Sequence, residues 1–474
     1  MQDPTMQDDN PIRAFAAWTS DADNDWPQAA VQAAKNAFID TVGVMIAGAF
    51  EPVTQAAIRM TGAWGEGACT AVSVSDGRPA PWTALINGAA AHALDFDDNF
   101  DPAKAHASAV LVPAILAIAE QEDAGGEACI DAYIVGLQIM GRVGQGLNPY
   151  HRNRGWHATS TVGAVGAAAA CARLLRLDHR QSAHALSIAT SMAGGFMSQF
   201  GTMTKPLHAG LAAKAGVMAA SLAAHHVDAG MDVLDGPRGM QRLMVGPDFE
   251  QLRNNLTQIE HGQTMRFATA DPGNPLLILS SGLKLKRFPN CGSAHRAMDA
   301  LLALREEMGF NADDLLRIRV SAPVSHLNNL MYTRPDTPAK AKFSLEYALV
   351  MIAIKGQCSL QDFTESAVAD QRAIDLLSLV ERNPVDKSEG EFATQVEVDL
   401  RCGRKGKQDM AMPIGSSAAP LSDGQIKAKF RQCVAGVMPT DVADELLQQL
   451  DALPSLTAVA EIAPAFSRLK AVSA

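Results

Sequence analysis

Residues 92 to 101, HALDFDDNFD, place four carboxylates (Asp95, Asp97, Asp98 and Asp101) in seven positions of a chain otherwise rich in alanine. Carboxylates this close repel one another, so such a cluster is solvated, bonded to backbone donors or cations, or used to hold protons for chemistry. Three readings follow from the residue types. One is an acid-rich turn after the apolar run ALINGAAAHAL. Another is a metal site, because DDNFD spells an Asp-Asp-x-x-Asp spacing that can hold magnesium and a diphosphate. The third is an acid-base site that needs no metal.

Basic residues elsewhere weigh on that choice. In FGTMTKPLHAG, residues 200 to 210, Pro206 at a first helical position predicts a helix start with Lys205 as its N-cap. The helix dipole already makes that end positive, so a lysine there is unfavourable unless an anion binds both the free amides and the ammonium. His208 follows in the same turn. In GWHATSTVG, His157 stands just before Thr159 or Ser160 as N-cap, and in CGSAHRAMDA, His295 follows Ser293 within an opening turn. Each histidine alone also reads as a hydrogen-bonded core residue. Basic side chains at three helix starts together point to a shared anion site and to a small polycarboxylate ligand.

The magnesium reading loses ground on inspection. Terpene synthases pair their aspartates with Asn-x-x-Ser/Thr-x-x-x-Glu, and the nearest match, NCGSAHRA, has Ala297 where the glutamate belongs. Aromatic residues make up 5% of the chain, too few to line a carbocation site. No H-E-x-x-H, G-x-S-x-G, Walker or G-x-G-x-x-G motif occurs. A net charge of -11 argues against nucleic acid and against an anionic membrane as partner. The acidic N-terminus lacks the basic and apolar regions of a secretory signal, and the seven scattered cysteines suit reduced thiols, so a cytoplasmic protein is expected.

The elements that must position these residues change texture along the chain. From about 27 to 230 the sequence is a series of alanine-rich helical patterns whose small residues, three or four apart, predict a tight bundle. Beyond about 270 it alternates, and TQVEVDL puts Val396, Val398 and Leu400 on one face with Glu397 and Asp399 on the other, as a strand does. Helical patterns return at SDGQIKAKFRQCV. The expected fold is therefore mainly α: an all-helical bundle of residues 1–268, a smaller inserted α+β domain of residues 269–412, and a helical tail, 413–474, rejoining the bundle.

Taken together, AHALDFDDNF, GWHATSTVG, GTMTKPLHAGLAAKAG, KRFPNCGSAHRAMDA and LMYTRPDTPAKAKFSLEYA resemble the MmgE/PrpD family over roughly residues 30 to 435. That family includes 2-methylcitrate dehydratase, cis-aconitate decarboxylase and iminodisuccinate epimerase. The resemblance implies a homodimer without metal or organic cofactor that breaks a bond at carbon next to a carboxylate, by dehydration, decarboxylation or epimerisation. It implies that the inserted α+β domain is a lid domain and that the cleft between the two domains holds Asp95, His106, His157, Lys205, His295 and Tyr332, with Asn99 and His208 as further substrate contacts. Asn99 stands where dehydratases and decarboxylases of the family usually carry threonine, and DDxF with FGTMTKP looks closest to iminodisuccinate epimerase. Asp97 and Asp98 are expected to bond backbone amides and fix their loop. A non-catalytic polycarboxylate-binding protein is the remaining alternative.

Overall fold

A computed structural model describes residues 10–256, 262–387 and 390–470. The chain divides into two compact units. The first holds the residues up to Ala93, Asp97–Leu283 and Ser422 onward; the second holds Leu94–Phe96 and Lys284–Leu421.

The first unit is helical: α1 (Pro11–Asp21), α2 (Gln28–Ala47), α3 (Pro52–Gly62), α4 (Ala80–Ala93), α5 (Ser108–Gln121), α6 (Gly126–Leu147), α7 (Tyr150–Asn153), α8 (Ala158–Leu174), α9 (His179–Thr190), α10 (Thr204–Ala224), α11 (Phe249–Asn254) and α12 (Leu277–Ser280). Alanine dominates α8 and α10, giving high helix propensity and little side-chain bulk. That lack of bulk decides the packing. A Cβ on Gly210 of α10 would sit 2.2 Å from the Leu85 carbonyl oxygen of α4, and one on Gly88 would sit 2.8 Å from the Gly210 Cα. On the other side of α10, a Cβ on Gly216 would fall 2.3 Å from the Ala167 side chain of α8. The helix backbones thus approach closely, which fixes both α4 and α8 against α10.

This crossing carries the first testable consequence. Alanine at 210 gains about 1 kcal/mol of helix propensity. The new methyl meets backbone, which no rotamer change can relieve, so overpacking of about 1–3 kcal/mol should outweigh it. Gly210→Ala should lower the urea midpoint; a midpoint at or above wild type would show that α4 and α10 can part without penalty.

α10 is long and apolar enough to cross a membrane, yet 61% of its most apolar window is buried inside the fold. The pair α2 and α3 passes the same test only if counted as one span bent by 83°.

After Ser422 the chain forms α19 (Asp423–Val434), α20 (Thr440–Asp451) and α21 (Ala463–Ser467). The first packs on α2, where the buried Lys429 ammonium lies 2.7 Å from the Asp40 carboxylate and a Cβ on Gly43 would meet the Phe430 ring at 3.0 Å.

In the second unit a four-stranded sheet of order β2-β1-β3-β4 is built from β1 (Leu315–Pro323), β2 (Val380–Val385), β3 (Thr394–Leu400) and β4 (Lys405–Met410). Only β1 and β2 are parallel. Along β3, Thr394, Val396, Val398 and Leu400 are buried, alternating with half-buried Gln395, Glu397 and Asp399. Val320 pairs with Val396 and Ile318 with Val398, and the buried residues of α13 (His295–Met308) and α16 (Leu345–Lys355) complete this core. Short helices α14 (Val324–Asn329), α15 (Pro338–Ala341), α17 (Glu365–Val368) and α18 (Gln371–Leu376) fill the connections.

The unit boundaries differ from those expected at 268/269 and 412/413, falling instead at 283/284 and 421/422. Two side chains of α6 account for the first shift. Gln138 Nε2 donates to the Pro272 and Pro275 carbonyls at 2.6 and 3.1 Å, Arg142 Nε donates to Pro272 at 2.8 Å, and Leu277 N–H donates to Gln138 at 2.7 Å. Residues 269–283 therefore stay with the helices. At the other end, Ile414 N–H donates to Asp299 and Leu285 N–H to the Gly415 carbonyl, both at 2.9 Å, keeping 413–421 with the sheet unit. Residues 94–96 also go with that unit, because the Lys286 ammonium reaches the Asp95 carbonyl at 2.7 Å and its carboxylate at 3.1 Å.

Candidate active site

His92 stands in the last turn of α4, and Asp95, with φ 53, turns the chain into an irregular loop that runs to α5. The loop is anchored by its acids. Asp98 accepts from the Ser108 amide at 3.2 Å and from the Ser108 hydroxyl, which lies 2.6 Å from the Tyr133 hydroxyl. Burial pushes the Asp98 carboxyl up to about 7, Asp97 and Asp40 add to that, and the Ser108 hydrogen bonds oppose it. Asp97 plays another part: its Oδ2 lies 2.8 Å from His92 Nδ1 and 3.4 Å from His106 Nδ1.

His106 stands two residues before α5, its amide donating to the Thr159 hydroxyl of α8 at 3.1 Å. Its Nδ1 is 2.9 Å from the Asp98 carbonyl oxygen. A carbonyl can only accept, so Nδ1 must carry hydrogen, and in the neutral ring Nε2 bears the lone pair. The network thus assigns a tautomer suited to a base, with a carboxylate beside it to stabilise the imidazolium.

His157 is itself the N-cap of α8, held by its amide donating to the Gly195 carbonyl at 3.0 Å. Its Nδ1 is 3.0 Å from Nδ1 of His208, so one of the two nitrogens carries the shared hydrogen. Phe200 meets the His157 ring edge-on at 5.0 Å and lies 5.5 Å under the Lys205 ammonium. The His92 ring lies 4.4 Å from that of His106 and 6.1 Å from that of His157. Four imidazoles and an ammonium share one buried patch.

Crowding cations underground has a predictable result. Burial pushes His157 well below the ordinary imidazole value, and Lys205, His92, His106 and His208 act in the same sense. His208 is pushed down to about 4 by burial, His92 and Lys205. Both rings are neutral at physiological pH. They can donate or accept a hydrogen bond at a reacting atom but do not store charge there.

These shifts predict a pH-dependent stability of known sign. The folded values of His157 and His208 lie below 6.5, so their contribution is complete above that value and is lost as pH falls toward about 4. Asp98 works oppositely: raised from 3.8 to about 7, it stabilises fully below 3.8 and loses this as pH rises through 7. Urea midpoints measured from pH 7 to 4 should fall less steeply in His208→Asn than in wild type, and more steeply in Asp98→Asn. Parallel curves would contradict both environments.

Of the residues expected in the site, His106, His157, Lys205 and His208 come together in the first unit, and half-buried Asn99 lies on the same loop as Asp97. Asp95, His295 and Tyr332 belong to the second unit. There Asp95 pairs with Lys286, buried His295 opens α13 with its ring 5.3 Å from that of Phe288, and the Tyr332 ring lies 5.9 Å from the Lys340 ammonium.

Several local expectations need correction. α10 starts at Thr204, so Lys205 is its second residue and Pro206 its third. The amides of that turn are occupied: Thr204 N–H donates to the Thr202 hydroxyl and Lys205 N–H to the Thr202 carbonyl, both at 3.2 Å, and Pro206 has none. An anion here would meet the ammonium rather than those amides. At α8 the cap is His157, not Thr159 or Ser160, whose hydroxyls instead hold His106 and the Gly194 carbonyl. Asp97 holds a histidine rather than only backbone amides. His92 was not foreseen at all; the one signal was a histidine closing an apolar helix five residues before an aspartate.

Donor atoms of His92, Asp97 and His106 lie within 4.8 Å of one another, close enough for a divalent cation to bridge. As arranged, they are turned on each other and on the Asp98 carbonyl. The described groups thus form a hydrogen-bonded acid-base cluster.

The sequence matches the model of the MmgE/PrpD N-terminal domain over residues 13–252 and that of the MmgE/PrpD C-terminal domain over residues 288–453. It is 26% identical over 441 residues to cis-aconitate decarboxylase of Homo sapiens, covering 90% of this chain and 88% of the relative. Cis-aconitate decarboxylase of Aspergillus terreus is 26% identical over 483 residues, and a cis-aconitate decarboxylase-like protein of Aspergillus oryzae, oryM, is 25% identical over 462, covering 94% and 93% of both chains respectively. With both domain models matched in order, and the cluster of His92, His106, His157, Lys205 and His208 inside the N-terminal match, the chain belongs to the MmgE/PrpD family.

Proposed function

We propose that the protein is a lyase acting on a small di- or tricarboxylate, by proton transfer at a carbon next to a carboxylate and without a cofactor. The observation that carries this is the division of labour among the buried bases: His106 has its lone pair on Nε2 with a carboxylate behind it, and His157 is kept neutral beside Lys205. The Lys205 ammonium holds a carboxylate that stays on the substrate and takes up charge as the neighbouring carbon becomes carbanion-like. Breaking the bond to a second carboxylate releases carbon dioxide and leaves its electron pair on carbon, which collects a proton from Nε2 of His106 in its imidazolium form. In dehydration, His106 Nε2 takes the proton from carbon, and the imidazolium so formed gives it to the hydroxide leaving the next carbon, which departs as water. The relatives named cis-aconitate decarboxylase make an aconitate-like acid the first substrate to try.

One observation favours a second reading. Asn99 supplies no hydroxyl where dehydratases and decarboxylases of the family have threonine, and inversion of an iminodisuccinate-like acid needs two acid-base groups but no acid for a departing hydroxide. Asp95, His295 and Tyr332 enter either reading through the family motifs that contain them.

A panel of aconitate-like, citrate-like and aminosuccinate-like acids, followed by proton NMR, separates the branches. Released carbon dioxide means decarboxylase, a new alkene with water means hydro-lyase, and inverted configuration means epimerase. If no acid is turned over and His157→Ala binds the same acids as tightly as wild type, the protein is a polycarboxylate-binding protein instead.

A further inference from the structure

Asp97 is one carboxylate between two histidines. Its Oδ2 is close to His92 Nδ1 at 2.8 Å and looser to His106 Nδ1 at 3.4 Å, and the two rings are 4.4 Å apart. The Asp97 and His92 side chains are fully buried, whereas His106 keeps 14% of its side chain exposed. A buried carboxylate must be paired, and the nearer partner takes the larger share of its charge. We propose that His92 and His106 compete for Asp97, so that His92 is a positioning residue that sets how strongly His106 holds a proton.

In the resting state His92 Nδ1–H satisfies Asp97, leaving His106 a moderate base whose Nδ1–H is given mainly to the Asp98 carbonyl. When His106 Nε2 gains a proton, its ring becomes the stronger attractor and Asp97 shifts toward it. No bond other than hydrogen bonds changes, and no proton leaves His92. The carboxylate thus has a partner in both states, and catalysis never leaves it buried and bare. Without His92, Asp97 would be drawn closer to His106 and raise its proton affinity; without Asp97, His106 would lose the carboxylate beside its Nδ1. The two losses therefore act in opposite directions, which distinguishes competition from a purely structural role.

Among the described residues, the other titratable groups on the surrounding elements include His157 of α8, Lys205 and His208 of α10, Tyr133 of α6, Asp40 of α2, Asp98 of the loop, and Asp95, which is engaged by Lys286. The substitutions below leave all of them in place.

This inference rests on His106 as the base, but its test reads that ring directly. Histidine labelled with ¹³C at Cε1 gives the His106 titration by NMR without any substrate, and the acid limb of kcat/KM against pH gives it during turnover. Relative to wild type, Asp97→Asn should move the His106 midpoint down by about one pH unit, and His92→Phe should move it up by about one. His92→Gln, whose amide can still donate to Asp97, should stay near wild type and serves also if the phenylalanine variant does not fold. Midpoints that coincide in all variants, or that move the same way in Asp97→Asn and His92→Phe, would overturn the competition. An inactive wild type with midpoints that separate as stated would refute the lyase reading and leave this inference standing.

Discussion

Lys205→Ala is expected to lower kcat/KM by roughly 100- to 1,000-fold, about 2–4 kcal/mol of transition-state binding, the usual loss when one preorganised donor is removed from a water-excluded site. The ammonium is buried at the start of α10, over the Phe200 ring and beside two imidazoles held neutral. A substrate carboxylate that gains charge in the transition state is stabilised there more than in the ground state, so the loss should fall on kcat as well as on KM. Stability should not fall in parallel, since removing a buried cation also removes its desolvation cost. Lys205→Met, which keeps the volume, should be equally impaired. Wild-type kcat/KM in either variant would take Lys205 out of the site.

His106→Gln should cost a further-reaching 10²- to 10⁴-fold in kcat, the range for loss of a general base. Glutamine can still donate to the Asp98 carbonyl, so the loop between α4 and α5 should keep its shape, and a melting temperature near that of wild type would verify it. Because His157 and His208 are held neutral well below the assay range, the acid limb of the pH profile should belong to His106 and should disappear in this variant. An unchanged acid limb would assign the base elsewhere.

How much of this was legible in the sequence follows from how local each signal is. The alternation of β3 and the helix starts at His157, Lys205 and His295 depend on near neighbours and on punctuation by proline, glycine and serine, so their neighbourhoods are readable to within a residue or two. His92 is not, because a histidine inside ALINGAAAHAL looks like any buried polar exception until Asp97 folds back beneath it. The occupied amides of α10 were hidden for a similar reason: Thr202 lies two residues ahead of the helix, and nothing in its type says that both its hydroxyl and its carbonyl turn inward. The unit boundary was misplaced because periodicity is blind to a glutamine on α6 that holds backbone more than 130 positions later.

The central claim, proton transfer by the buried imidazole cluster at a carbon next to a carboxylate, is tested most directly by turnover in deuterated water. Product or recovered substrate from wild-type reactions should carry enzyme-dependent deuterium at that carbon, and His106→Gln should reduce the incorporation in step with kcat. Deuterium at that carbon in neither product nor recovered substrate, or incorporation at the wild-type rate in His106→Gln, would contradict it.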